Sequence, residues 1–209
     1  MAQAAAKQTV PDPQPTKISY DEFLERYMDG EHLEWVNGEV VPMSPISDKH
    51  NELGGFLLRL IGEFVEAHQS GVIRYEPFQM KTGPDLPGRS PDVLFVATEN
   101  LGRLQQTHLR GPADLVIEII SPESRERDRV TKFAEYEQGG VREYWILDPD
   151  RKEAEFYRRG TDGKYQAAIL EDERIYQSEV LSGLWINVEW LWQRPHPTLR
   201  EIRKQWGML

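Results

Sequence analysis

Two acidic residues carry most of the chemical information in this sequence. Asp92 follows Pro91 at the start of a short apolar segment, and Glu118 lies inside the aliphatic run 115–120. Because burying an unpaired carboxylate costs several kcal/mol, each acid is expected at a polar edge or in a site. Two acids on two predicted strands could converge on one divalent cation. Hard oxygen ligands of this kind suit Mg²⁺.

A lysine follows these acids at a position from which it can reach them. Lys132 lies on the segment 124–138, which is predicted to be a helix ended by two glycines. Asp128 precedes Lys132 by four residues, so the two side chains share one side of that helix. Only residues 121–123 separate the helix from the strand that carries Glu118. A strand acid can therefore meet a helix lysine.

Composition restricts the class of protein. The chain has 209 residues and is 39% hydrophobic, which suits one compact domain with a real core. It has no cysteine, so disulfides, thiolate metal ligands and cysteine nucleophiles are excluded. No run of about 18 apolar residues occurs, and the start lacks the apolar stretch of a secretory signal. We therefore expect a soluble, cytoplasmic protein with no membrane contact.

The formal net charge of −10 argues against a broad nucleic-acid surface, because phosphate backbones attract fields of Lys and Arg. Net charge averages over the whole surface, however, and a metal site needs local acids. Basic residues do cluster locally, at Arg125, Arg127, Arg129, Lys132, Arg200, Arg203 and Lys204. They are compatible with a local basic strip or with an ordinary solvated face.

Periodicity and turn residues predict a mixed α/β fold. Asn37-Gly38 favours a hairpin of residues 32–43, and Ser47 or Asp48 caps a long helix that Gly71 ends. A short helix is predicted from Tyr20 to Met28. The other predicted elements are strands at 72–79, 92–96, 115–120 and 143–148, a loop at 81–90, an irregular or briefly helical segment at 99–112, an antiparallel layer at 154–158, 165–170 and 175–181, and a helix at 197–206. Residues 1–16, rich in Ala, Gln and Pro, are predicted to be a disordered tail, 17–195 the folded domain, and 196–209 a C-terminal helical extension.

Several motifs occur in an order that is specific in combination. They are Glu34 to Glu39 (EWVNGE), Met43-Ser44-Pro45 with His50, Pro91-Asp92-Val93, Asp114 to Pro122, Asp128 with Lys132, and Gly140 to Pro149. Over residues 18–190 they resemble the Uma-type restriction endonuclease family, a branch of the PD-(D/E)XK nuclease superfamily. The resemblance implies a restriction-endonuclease-like core with flanking helices and an extra antiparallel layer.

The resemblance also implies a metal-dependent site that hydrolyses DNA phosphodiester bonds. Its acids are Asp92 and Glu118, which with the carbonyl of Ile119 hold Mg²⁺, or Mn²⁺ as a substitute. The superfamily lysine stands two residues after the second acid, where this chain has Ile120, so Lys132 is expected to supply the ammonium. Auxiliary candidates for contacts to water, substrate or Lys132 are His50, Glu39, Glu76, Gln79 and Asp128. Many nucleases of this fold cut as dimers, and Trp185, Trp190 and Trp192 are candidates for core positions or for a homodimer surface.

Other interpretations stay open at this point. Asp92 can be a strand-entry residue that bonds a backbone amide, and Glu118 can form a structural ion pair with Lys132. One alternative function is a catalytically degenerate nuclease fold that binds a partner without cutting. A weaker one is a metal-dependent hydrolase of a small phosphorylated molecule. An open groove would favour nucleic acid, and a closed pocket the small substrate.

Overall fold

The computed structural model describes residues 17–27 and 32–208. Its α-helices are α1 (Tyr20–Arg26), α2 (Asp48–His68), α3 (Phe133–Gly139) and α4 (Leu199–Gln205), with 3₁₀ turns at Thr98–Arg103 and Val188–Leu191 and a π-helix at Arg127–Lys132. Its strands are β1 (Leu33–Val36), β2 (Glu39–Pro42), β3 (Gly71–Tyr75), β4 (Gln79–Lys81), β5 (Gly88–Arg89), β6 (Val93–Ala97), β7 (His108–Arg110), β8 (Leu115–Ile119), β9 (Glu143–Asp148), β10 (Glu153–Arg159), β11 (Tyr165–Ala167), β12 (Ile175–Gln177) and β13 (Trp185–Asn187).

The main sheet is mixed and has the strand order β11-β10-β9-β8-β6-β3. β8 and β9 run parallel, with Glu118 opposite Ile146, and the other neighbours are antiparallel. A parallel pair needs a crossover connection, and here the crossover contains the π-helix and α3. These helical residues are therefore held directly over the strand that carries Glu118.

Both faces of the main sheet are buried, and the two-residue period of β8 divides its side chains between them. Leu115, Ile117 and Ile119 pack in one core with α2. Val116 and Ile120 pack in a second core, which includes Tyr136 of α3. Glu118 shares the face of Val116 and Ile120, as the alternation predicted, and so lies under the crossover helix.

A second sheet, in the order β2-β1-β5-β4-β7, borders the first. It begins with the predicted hairpin, in which Asn37 and Gly38 have φ angles of 54° and 94°. Such positive angles are what a type I′ turn requires. The short strands β5 and β7 lie in segments that were not predicted as strands. With two and three residues they are too short to show a period, and each forms by pairing with β4.

The predicted mixed α/β fold with flanking helices is confirmed, with local differences. The strands expected to form an antiparallel layer divide, since β10 and β11 extend the main sheet and β12 pairs with β13. α2 ends at His68, with the cap residue Gln69 in the left-handed conformation, and not at Gly71. Gly71 begins β3, where an added Cβ would lie 2.1 Å from the carbonyl oxygen of Val96, so close strand approach requires glycine. α1 ends at Arg26, and Met28 lies outside the described residues.

The C-terminal residues pack on the domain. Ile202 of α4 is buried in the first core, and Trp206 donates a hydrogen bond to the carbonyl of Trp185. Trp185, Trp190 and Trp192 also pack in or against this core. The division of the chain at residue 195 stays a prediction, and the tail predicted for 1–16 lies outside the described residues. Among the described helices, none combines the length and apolar character needed to cross a bilayer.

Candidate functional site

Lys132 lies at the centre of a buried acidic cluster. Its Nζ is 2.9 Å from Glu118 Oε2 and 3.4 Å from oxygens of both Glu34 and Asp128. The lysine side chain is 1% exposed. Glu118 also accepts a hydrogen bond of 2.7 Å from the hydroxyl of Tyr136. The predicted meeting of a strand acid with a helix lysine is therefore present in the structure.

Local backbone geometry explains how the crossover presents these groups. Where the chain leaves β8, the backbone N–H of Ser121 donates to Ser124 Oγ, and the backbone N–H of Ser124 donates to Ser121 Oγ. These two hydrogen bonds form a turn from which the helical segment begins. The following residues form a π-helix, a conformation that is rare in proteins as a whole but is often found at functional sites. Its wider turn accommodates Asp128 and Lys132 on the side that faces β8.

The electrostatics of the cluster keep the lysine charged. Burial disfavours the ammonium, but Glu118, Glu34 and Asp128 together outweigh it and raise the pKa of Lys132. Burial also raises the pKa of Glu118 well above its usual value, and the Lys132 charge opposes that rise. The contact of 2.9 Å between the two groups favours the charged pair. Burial and the nearby Glu118 raise the pKa of Tyr136 well above its usual value. Tyr136 is thus a hydrogen-bond donor to Glu118 at any ordinary pH.

The second sheet supports the lysine through a chain of ion pairs. Glu34 of β1 is fully buried and accepts a 2.7 Å hydrogen bond from Arg89 of β5. Arg89 also binds Glu135 of α3 through two hydrogen bonds of 2.7 Å. Burial disfavours the Glu34 anion, but Lys132 and Arg89 outweigh it and lower the pKa of Glu34. The hairpin, β5 and the crossover helix are therefore tied together beneath the site.

Three potential metal ligands converge beside this cluster. Ligand atoms of His50, Glu76 and Asp92 all lie within 4.8 Å of one another. His50 Nε2 is 3.1 Å from Asp92 Oδ1, and Asp92 Oδ2 accepts a 2.5 Å hydrogen bond from the backbone N–H of Ile119. Burial and Asp92 raise the pKa of Glu76. Burial lowers the pKa of His50, but the contact with Asp92 outweighs it and raises the pKa.

The lysine cluster and the three potential ligands open into one cleft. Its volume is about 40 Å³, and it is lined by residues that include His50, Glu76, Asp92, Glu118, Asp128 and Lys132. A water needs about 10 to 15 Å³ of such space. The cleft therefore has room for a small ion with one or two waters.

Comparison with known proteins agrees with this arrangement. Residues 20–189 match the profile of the Uma2 family, described as "putative restriction endonuclease". The chain belongs to the Uma2 family. The match spans all strands of the two larger sheets and includes every residue that lines the cleft.

The fold of this Uma2 family member is also found in a solved structure. A crystal structure from Anabaena variabilis, described as a "putative nuclease belonging to DUF820", superposes with a TM-score of 0.67 at 18% identity. The superposition covers 83% of this chain and 97% of that chain. It confirms the predicted nuclease-like fold class. A search of curated proteins gave no match.

The structure groups some of the residues suggested by the Uma2 resemblance and separates others. The cleft contains Asp92, Glu118 and Lys132, and also the auxiliary candidates His50, Glu76 and Asp128. Glu39 is exposed on β2 and lies outside the residues described as lining the cleft. Gln79 is buried, donates to the carbonyl of Leu33, and lines a neighbouring pocket of about 410 Å³ that shares Glu76 with the cleft.

Sequence reasoning assigned no role to several residues that hold the site together. Glu34, Arg89 and Glu135 come from three segments whose pairing depends on the second sheet. The one available signal was Glu34 within the EWVNGE motif, which marked the position without indicating its partner. Tyr136 follows Lys132 by four residues, a spacing that puts both side chains on one side of the helix.

Proposed function

We propose that this protein is a divalent-metal-dependent nuclease that hydrolyses DNA phosphodiester bonds at the cleft between β6, β8 and the crossover helix. The observation that carries the proposal is the convergence of Asp92, Glu118 and a buried, charged Lys132 in a member of the Uma2 family. Carboxylates that can hold a cation beside a fixed ammonium form a suitable site for stabilising a phosphoryl-transfer transition state.

The donor atoms of the cleft fit a divalent cation. We propose that Asp92 and Glu118 hold the ion with the carbonyl of Ile119, as the sequence predicted, and that His50 and Glu76 are further donors on the Asp92 side. Carboxylate oxygens suit Mg²⁺, and the imidazole extends the range to Mn²⁺. When bound, such an ion polarises a phosphoryl oxygen and lowers the pKa of a coordinated water.

The residues of the chain position these groups. The backbone N–H of Ile119 fixes the Asp92 carboxylate, and the Tyr136 hydroxyl and Lys132 fix that of Glu118. Lys132 keeps its proton because three carboxylates surround it, so it acts as a positive charge that orients water and offsets negative charge on the phosphate.

The size of the cleft favours a polymeric substrate. Pockets that enclose small-molecule substrates measure about 300 to 1,000 Å³. The cleft of about 40 Å³ cannot by itself enclose a phosphorylated metabolite. The neighbouring pocket of about 410 Å³ has such a size and shares Glu76, but its lining does not include Asp92, Glu118 or Lys132. A phosphodiester in a long chain can lie across the mouth of the cleft, which favours DNA as the substrate.

One observation favours the alternative of a nuclease fold that binds without cutting. Glu118 and Lys132 are almost fully buried and pair directly, and Ile120 replaces the lysine of the superfamily pattern. An ion pair closed in this way can be purely structural. The two functions differ in whether metal and DNA together produce strand breaks.

Cleavage of DNA tests the proposal directly. Supercoiled and linear DNA is incubated with the purified protein and Mg²⁺ or Mn²⁺, and breaks are resolved on agarose gels. We expect the wild-type chain to nick or linearise the DNA, and Asp92→Ala and Lys132→Ala to be slower by a factor on the order of 10³. Arg125→Gln, outside the cleft, is the control and should cut like wild type. Equal cleavage by all variants would reject the site, and metal-dependent binding without cleavage would favour the alternative.

The homodimer and the cytoplasmic location inferred from the sequence stay predictions. Trp185, Trp190 and Trp192 pack against the core of their own chain, so they give no support to a dimer surface. Light scattering of the purified protein, with and without a DNA duplex, measures the oligomeric state directly.

A further inference from the structure

Three arginines at the start of the crossover helix differ in their partners. Arg125 binds Asp148 through two nitrogens at 3.0 and 3.1 Å. Arg129 binds Glu155 at 2.6 Å and Glu153 at 3.1 Å. In residues 17–27 and 32–208, the one carboxylate within 4.0 Å of Arg127 is Asp128, at 3.8 Å. Nε of Arg127 is buried and makes no hydrogen bond to any of these residues.

Arg127 is also the arginine of this group that lines the cleft. Arg125 and Arg129 line a different surface depression, on the other side of the helix. In an α-helix, Arg127 and Lys132 would point about 140° apart, because five residues exceed one turn of 3.6. The π-helix has i→i+5 hydrogen bonds and is wound more loosely, which makes the angle between Arg127 and Lys132 smaller, and both side chains line the cleft. The unusual helix thus places a second cation beside the lysine.

The two cations of the cleft are exposed to different extents. Lys132 is 1% exposed and surrounded by three carboxylates, so its charge is already engaged. The Arg127 side chain is 35% exposed at the mouth. The cleft is also lined by Glu76, Asp92 and Asp128, whose negative charge repels an approaching phosphate. A phosphodiester at this mouth needs a cation that can reach outward, and a guanidinium matches two phosphate oxygens.

We propose that Arg127 binds the DNA phosphate that lies over the cleft, as a substrate-binding residue distinct from Asp92, Glu118 and Lys132. The proposal rests on the nuclease function proposed above and adds the group that admits an anionic substrate to an acidic site. The neighbouring Arg125 and Arg129 serve as structural ion-pair partners and take no part in DNA binding.

The salt dependence of DNA binding tests this assignment. Binding of a fluorescein-labelled DNA duplex is measured by anisotropy over a range of KCl concentrations, with Ca²⁺ in place of Mg²⁺ to slow cleavage. The proteins are full-length wild type, Arg127→Gln, Arg127→Lys and, as matched control, Arg125→Gln. Loss of one phosphate contact lowers the slope of log Kobs against log salt concentration by about 0.9.

We expect Arg127→Gln to bind about tenfold more weakly with that lower slope, and Arg127→Lys to keep the slope with a smaller loss of affinity. Arg125→Gln should match wild type in both quantities. Mn²⁺ affinity, measured by calorimetry, should be equal in wild type and Arg127→Gln. If Arg127 only stabilised the fold, its replacement would disturb the metal ligands and lower this affinity.

These measurements distinguish a failure of the Arg127 assignment from a failure of the proposed nuclease function. If wild type binds the duplex and Arg127→Gln shows the same affinity and slope, the Arg127 assignment alone is wrong. The same conclusion follows if Arg127→Gln loses Mn²⁺ affinity in proportion to DNA affinity. If the wild-type protein shows no metal-dependent binding or cleavage of DNA, the proposed nuclease function is overturned and the Arg127 assignment with it.

Discussion

Two buried glutamates on neighbouring strands have opposite surroundings. Glu143 begins β9 and is fully buried. Its oxygens accept five hydrogen bonds, all from neutral groups: Trp145 Nε1, Tyr176 Oη, Ser178 Oγ and the backbone N–H groups of Glu179 and Val180. A carboxylate offers about four lone-pair positions, so Glu143 has no capacity left to bind an ion.

Glu118, on the adjacent strand β8, has fewer hydrogen-bond donors around it, and one of them is charged. It accepts from the Tyr136 hydroxyl and pairs with the Lys132 ammonium, and it lines the cleft near Asp92. Two acceptor positions therefore remain for a cation. The comparison teaches that burial of a carboxylate does not by itself indicate a functional site. The number and charge of its donors, and whether it reaches a cleft, distinguish the two roles.

The largest expected effect comes from removing the charge beside Glu118. Lys132→Met leaves Glu118, Glu34 and Asp128 buried around an uncharged side chain. Removing one partner of a buried ion pair costs about 3 to 5 kcal/mol, and we expect a loss of that size in the free energy of unfolding. Urea titration followed by tryptophan fluorescence measures it. A loss below about 1 kcal/mol would show that the carboxylates are not ionised in the folded protein.

Replacing each glutamate by glutamine separates stability from activity. Gln has one acceptor oxygen in place of two, so Glu143→Gln leaves several buried donors without partners. We expect it to lose about 2 to 3 kcal/mol of stability while the folded fraction keeps its nuclease activity. Glu118→Gln removes one partner of the buried pair with Lys132, so we expect a loss of about 3 kcal/mol together with a reduction of cleavage by a factor on the order of 10³. Urea unfolding and DNA cleavage are measured on both variants, and the reverse pattern would exchange the roles assigned here.

A smaller effect is expected on metal affinity, which also distinguishes the cleft from the surroundings of Glu143. His50→Ala removes one donor of the group that includes Glu76 and Asp92, and we expect Mn²⁺ affinity to fall at least about tenfold in calorimetry. Glu143→Gln, whose carboxylate is saturated by neutral donors, is the control and should bind Mn²⁺ like wild type. Unchanged affinity in His50→Ala would remove the histidine from the proposed ligand set.

The smallest expected effect comes from removing one tyrosine hydroxyl beside Glu118 or beside Glu143. Tyr136 and Tyr176 donate hydrogen bonds of the same length, 2.7 Å, to Glu118 and Glu143 respectively. Each Tyr→Phe variant should lose about 1 to 2 kcal/mol of stability, because a hydrogen bond to a charged group is lost. Only Tyr136→Phe should also slow DNA cleavage, by about tenfold or more, because Glu118 loses a positioning donor. Equal cleavage by the two variants would contradict a positioning role for Tyr136.

Local patterns in the sequence were sufficient for the elements that depend on neighbouring residues. Asn37-Gly38 predicted the hairpin because the turn itself needs positive φ angles. The alternation in residues 115–120 predicted that Glu118 would face away from Ile117 and Ile119. The four-residue spacing placed Asp128 and Lys132 together, although the structure forms this contact on a π-helix. Such patterns encode which face a side chain occupies.

The partners across segments were decided by the tertiary structure. Arg89 meets Glu34 across 55 positions and Glu135 across 46, and His50 meets Asp92 across 42. The five donors to Glu143 and the position of the Arg127 guanidinium at the cleft likewise depend on which segments the sheets and the crossover bring together. Periodicity specifies the orientation of a side chain within its own element, whereas the pairing of distant charges depends on strand order and register. For this protein the sequence by itself determined the acids, the lysine and their faces, and the packed fold decided which charges are engaged and which are available to a ligand.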